Sequence, residues 1–180
     1  MEYYYKTVDG KIVELDNNET TLYLDSLKII ELIVPKNCIY LTCKSNKLTK
    51  LIVSEGCKKL YCSMNKLKEL TVPKSCEDLG CGYNRLEQLI VTGDCKRIDC
   101  NDNKLKELIV PGTCKALYCW NNKFKELVVP AGCNVTADKD VIIKYNRINL
   151  PKFDKANEVI SNLIRRIKNL TLWSIADLLT

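Results

Sequence analysis

The chain has 180 residues, enough for one domain with a sizeable core, and its 46% hydrophobic and 28% charged residues are ordinary for a soluble globular protein. No run of 18 apolar residues is present, which argues against a membrane-spanning helix. The net charge of +6 divides into −3 over residues 1–40, +6 over 41–135 and +3 over 136–180, a bias below that of a dedicated nucleic-acid binder.

The opening stretch MEYYYKTVDGKIVELD lacks the basic start and apolar run of a signal peptide, so a cytoplasmic setting is expected. Residues 3–8 and 11–15 flank Asp9-Gly10, a strong short hairpin signal. Residues 1–20 are therefore expected to form a hairpin that caps the body of the chain.

That body is a repeat. Asn46, Asn65, Asn84, Asn103 and Asn122 stand 19 residues apart, each in the same frame: LTCKSNKL at 41–48, LYCSMNKL at 60–67, LGCGYNRL at 79–86, IDCNDNKL at 98–105 and LYCWNNKF at 117–124. Leu51, Leu70, Leu89, Leu108 and Leu127 come next, then Val53, Val72, Val91, Val110 and Val129, and finally Cys57, Cys76, Cys95, Cys114 and Cys133. Residues 22–38 keep most of the frame but place Leu27 where the asparagine belongs. After a five-residue insertion near 134–140, VIIKYNRI at 141–148 restores it, making Asn146 the expected last rung. About seven coils are expected over residues 21–150.

No coil of this length can bury its own Leu, Val and Cys residues, so stacking must bury them jointly. Each coil adds one short strand to a parallel sheet at a spacing of about 4.8 Å. A coil this short has little room for a helix, so its return side is expected to be extended or turn-like. An asparagine carries donors and an acceptor, so a stacked row of them can serve backbone groups at the bend that no strand satisfies.

The segment CKKLYCSMNKL at 57–67 resembles the leucine-rich-repeat motif Leu-x-x-Leu-x-Leu-x-x-Asn-x-Leu, with cysteine in two leucine slots. The short Val-Pro return segments resemble the compact repeats of bacterial secreted effectors and some viral proteins. This resemblance implies a leucine-rich-repeat solenoid with its parallel sheet on a concave face. It also implies binding of a protein partner, with the host cytosol as the setting if the chain is an effector.

Beyond Pro151, the spacing of Phe153, Ala156, Val159, Ile160, Leu163, Ile164 and Ile167 predicts a helix, with Asp154 as its N-cap. A second short helix is predicted from Thr171. Residues 151–180 are thus expected to be a helical cap, and the apolar tail is a candidate homodimer contact.

All eleven cysteines fall in two inward slots, 38, 57, 76, 95, 114, 133 and 43, 62, 81, 100, 119, and are read as small core residues. No metal site is expected, because the spacing follows the repeat and the chain has no histidine. A catalytic cysteine would lack its usual base. Neither a cofactor nor an enzymatic activity is expected.

The residues flanking the inward slots face outward on the sheet and vary between coils. The expected partner-binding residues are Tyr23, Tyr40, Tyr61, Arg97, Asp99, Tyr118 and Trp120, since Tyr and Trp dominate binding hot spots. Gly80 and Gly82 are expected to leave a shallow hollow, and Ile142 and Lys144 to continue the face. Lys47, Lys66, Arg85, Lys104 and Lys123 form a basic ridge that Glu69, Glu107 and Glu126 would partly neutralise. The ridge carries the alternative reading, a nucleic acid or other polyanion. The pair Asp99 and Asp102 is read as solvent-facing charge.

Overall fold

The computed structural model describes residues 3–146. Seven strands form one parallel sheet in chain order: Thr21–Tyr23, Tyr40–Thr42, Lys59–Tyr61, Asp78–Gly80, Arg97–Asp99, Ala116–Tyr118 and Asn134–Thr136. Their register places Leu22, Leu41, Leu60, Leu79, Ile98 and Leu117 in a line, all buried. The architecture is a solenoid of stacked 19-residue coils, the leucine-rich-repeat arrangement.

The return side is extended. Strands Ile29–Ile33 and Lys50–Ile52 pair in parallel, as do Gln88–Ile90 with Glu107–Ile109 and Glu126–Pro130 with Ile142–Asn146. Between the two sides Leu48, Leu67, Leu86 and Leu105 are fully buried, and Phe124 nearly so. Each such side chain contributes about 1.5–3 kcal/mol through removal from water, and only because a neighbouring coil supplies the other wall.

The bend after each sheet strand is held by asparagine. Asn65 Oδ1 accepts from Leu48 N–H at 2.9 Å, while its Nδ2 donates to the Cys43 and Cys62 carbonyls, both at 3.0 Å. Asn46, Asn84, Asn103 and Asn122 repeat the pattern. The residue before each asparagine lies in the left-handed region: Ser45, Met64, Tyr83, Asp102 and Asn121 have φ between 52° and 59°. That conformation costs a bulky residue about 1–2 kcal/mol, which the two-coil asparagine bonds offset. Leu27 is tolerated because no earlier coil needs its service, and Asn46 supplies the bond to the Leu24 carbonyl at 2.7 Å.

At the N-terminal end, Tyr4–Thr7 pairs antiparallel with Ile12–Glu14 across a turn with Gly10 at φ 85°. The first of these strands also pairs antiparallel with Ile29–Ile33, bringing Tyr5 opposite Leu32. The hairpin therefore extends the return side of the first coil.

The last coil departs from expectation. Asn134–Thr136 is its sheet strand, with Val135 opposite Leu117, and residues 142–146 lie on the return side, where Asn146 faces Pro130. The frame at 141–148 is therefore not a sheet strand, Asn146 is not a rung, and Ile142 and Lys144 do not continue the sheet face. The coil is shortened, not enlarged, between its two strands. Asp138 instead takes the place of a backbone carbonyl: its Oδ2 accepts from Asn121 N–H at 2.8 Å, where the preceding coil has Asp102 N–H donating to the Trp120 carbonyl. The helical cap expected over 151–180 lies outside the described residues. Among the described residues no helix is long and apolar enough to cross a membrane.

Candidate functional site

Inside, the thiols behave as core. All eleven are free and buried. In the row that starts each sheet strand, Cys38, Cys57, Cys95 and Cys114 donate to the carbonyl two residues on, at 3.2–3.4 Å. Cys133 and Cys114 approach to 3.7 Å between sulfurs, a thiol contact. Burial pushes the thiols up, Cys38 to about 11 and Cys57, Cys62 and Cys119 to about 12. None of these four is held as the reactive thiolate at neutral pH.

Outside, the sheet face is a connected row. The Tyr23 and Tyr40 rings stand 5.6 Å apart, and Tyr40 and Tyr61 5.8 Å apart. The Tyr61 phenol donates to Asp78 Oδ2 at 2.8 Å, and Arg97 Nη1 donates to Asp78 Oδ1 at 3.2 Å. The Arg97 guanidinium then sits 5.4 Å from the Tyr118 ring centre, and Lys44 lies 4.8 Å from that of Tyr61. Burial first, then the bond to Asp78, pushes the Tyr61 phenol up to about 12. Five residues singled out from the sequence (Tyr23, Tyr40, Tyr61, Arg97 and Tyr118) thus share one surface, joined by Asp78. Tyr23 is the most open, at 73% exposed.

Asp99, the cross-strand neighbour of Tyr118 whose field also acts on Arg97, and Trp120 make their side-chain contacts elsewhere. Asp99 Oδ1 accepts from Asn101 Nδ2 at 2.8 Å, and Trp120 packs edge-on against Tyr83 at 6.3 Å. Sequence reasoning misses Tyr83. Its signal is the slot before each asparagine, which varies through Ser, Met, Tyr, Asp and Asn.

Two expectations about this surface are corrected. Gly80 and Gly82 leave no hollow, because both are buried. A Cβ on Gly80 would stand 3.0 Å from Tyr61 Cδ1, and one on Gly82 would stand 3.3 Å from Asp99 Oδ1. The basic ridge is also not neutralised as expected. Lys47, Lys66, Arg85, Lys104 and Lys123 are exposed, and no carboxylate among the described residues lies within ion-pair distance of them. Glu126 pairs with Lys144 at 2.6 Å, and Glu31 with Lys50 at 2.6 Å, both along the neighbouring row. Lys28, in the same slot of the first coil, extends the ridge by one.

Among the described residues no cluster of side chains could hold a metal ion. No protein-family model matches the chain, and no curated protein matches it. Among solved structures, the chain is similar to YopM, a leucine-rich effector protein from Yersinia pestis, at 19% identity and a TM-score of 0.45. The match covers 69% of this chain and 50% of that one, so it spans about half the length of YopM.

Proposed function

We propose that this chain is a non-enzymatic interaction module that binds a protein partner on the outward face of its seven-stranded sheet. One observation carries the reading. The inward slots repeat almost unchanged from coil to coil, whereas the outward slots differ and bear a row of aromatic and charged groups from Tyr23 to Tyr118. Stacking alone needs only the inward slots. Exposed Tyr and Trp on a rigid scaffold offer large contact area at small entropic cost. Tyr40, Tyr61, Tyr118 and Trp120 are partly buried by their neighbours, so their rotamers are already restricted before a partner arrives.

The test is quantitative capture from host or native-cell lysate by the wild-type chain and two variants, Tyr118→Ala/Trp120→Ala and Tyr23→Ala/Tyr40→Ala. The reading expects a specific protein retained by wild type and lost by at least one variant, with unchanged circular dichroism. Equal retention by all three moves the interface off this face. Action as an effector is the setting that the compact-repeat resemblance implies, and identifying the retained protein decides it.

The ridge supports a second reading, a polyanion partner. Six stacked cations without carboxylate partners among the described residues repel one another, and phosphate groups would relieve that repulsion. A salt titration separates the two. Polyanion binding weakens steeply between about 50 and 200 mM salt, by roughly a hundredfold or more for a row of this length, whereas an aromatic-anchored protein contact changes little. A homodimer through the apolar tail is a further proposal, tested by the solution mass of the full chain.

A further inference from the structure

Tyr83, Asp102 and Asn121 occupy the same left-handed slot in three successive coils, at φ 56°, 52° and 54°, so their side chains leave the bend side by side. Trp120 precedes Asn121, and its ring meets that of Tyr83 edge-on, 6.3 Å between centres and 83° between planes. These two rings belong to coils on either side of the one that carries Asp102, and lean toward each other across it. Asp102 Oδ1 accepts from Asn121 Nδ2. Asp102 Oδ2 is shut off from water and finds no donor. Among the described residues, no Lys or Arg reaches Asp99 or Asp102 within ion-pair distance.

A carboxylate oxygen withdrawn from water without a donor is costly, so an unpaired one marks a place where a donor is missing. We propose that Tyr83, Trp120 and Asp102 form a receptor for one cationic side chain, a lysine or arginine presented by a protein partner. The proposal rests on the reading that this face binds a protein, and specifies one contact of that complex. The charge matches, since the Asp102 carboxylate has no Lys or Arg within ion-pair distance among the described residues. Burial, then the field of Asp102, a hydrogen bond of the phenol to that carboxylate, and the field of Asp99 push the Tyr83 phenol up. An ammonium or guanidinium would give Oδ2 its donor and lie against two aromatic rings, the arrangement that favours cations over neutral groups. Tyr83 is 47% exposed, so its ring has room to turn and admit the guest.

The probe is a capped pentapeptide, Gly-Gly-Arg-Gly-Gly, with its lysine and citrulline counterparts, titrated into the full chain. A Trp173→Phe background leaves Trp120 as the sole tryptophan, so its emission reports the corner. The expected result is a saturable change with the arginine and lysine peptides, and binding at least about tenfold weaker with neutral citrulline. Asp102→Asn is expected to remove that preference, and Tyr83→Leu to weaken the cationic peptides by a similar factor, both with wild-type circular dichroism. Tyr83→Leu keeps the test open if Asp102→Asn unfolds the chain. Equal binding of arginine and citrulline, an unchanged preference in Asp102→Asn, or no saturable change with any peptide overturns the proposal. Such a failure leaves the sheet-face reading standing if Tyr23→Ala/Tyr40→Ala, remote from this corner, still loses the captured protein. The sheet-face reading fails on its own if neither pair of substitutions affects capture.

Discussion

The Tyr61 ring lies across Gly80 on the next strand, so close that a Cβ on Gly80 would stand 3.0 Å from Tyr61 Cδ1. The missing side chain at Gly80 is what lets the phenol reach Asp78 and join the tyrosine row to Arg97. Gly80→Ala should cost about 1–2 kcal/mol by overpacking. In a Tyr61→Ala background the same change should cost close to nothing, because the remaining neighbour, Ser63 Oγ at 3.6 Å, is then in ordinary contact. Urea unfolding of the four chains measures this coupling, and additive costs would show that the ring does not hold this position in solution.

Asparagine 65 is irreplaceable for one backbone group in particular. The Cys43 and Cys62 carbonyls each receive a second asparagine, from Asn46 and Asn84, but the Leu48 N–H has Asn65 Oδ1 as its acceptor. Asn65→Ala should destabilise the fold by about 1–3 kcal/mol, the cost of orphaning a buried donor. Leu27→Asn, at the equivalent slot of the first coil, should change stability by less than about 0.5 kcal/mol. Comparable effects at both positions would contradict the two-coil role of the row.

Native thiols should be silent toward Ellman's reagent at neutral pH, and all eleven should react once urea unfolds the chain. The same burial sets a pH dependence. Cys57, Cys62 and Cys119 titrate near 12 when folded, against an ordinary value near 9 when unfolded. Above pH 9 the unfolded chain therefore holds fewer protons than the folded one, and stability falls as pH rises toward 12. Each such thiol contributes up to about 1.4 kcal/mol per pH unit in that window. A flat urea midpoint between about pH 8 and 10.5, under reducing conditions, would contradict the dry interior.

In the last described coil Asp138 accepts from Asn121 N–H. Asp138→Ala should raise hydrogen exchange at Asn121 and cost about 1 kcal/mol, with little change at Ser45 or Met64, several coils away. Uniform loss of protection along the chain would show that Asp138 supports the whole fold and not only its end.

Much of the fold is legible because a solenoid writes its core into a period. Leu41, Leu60 and Leu79 have to share a wall, and the two cysteine slots come from the same frame. The last coil misleads because VIIKYN copies the hydrophobic pattern of a sheet strand, with an asparagine near the right place. The better signal is Cys133: its slot lies just before each sheet strand, which puts Asn134–Thr136 in the sheet. The face is legible as a set of variable positions but not as a network. Sequence spacing does not say that Tyr61 leans over Gly80, that Asp78 takes both Tyr61 and Arg97, or that Tyr83 bends back to Trp120 across two coils. These are side-chain directions, set by which neighbour leaves space.

The most direct test of binding by the sheet face is hydroxyl-radical footprinting of the chain with and without its captured partner. Tyr23, Tyr118 and Trp120 should lose oxidation on binding, while Tyr145, 54% exposed on the return side, should be oxidised as before. Protection at Tyr145 with Tyr23, Tyr118 and Trp120 unchanged would place the partner on the opposite side of the coils and contradict the proposed interface.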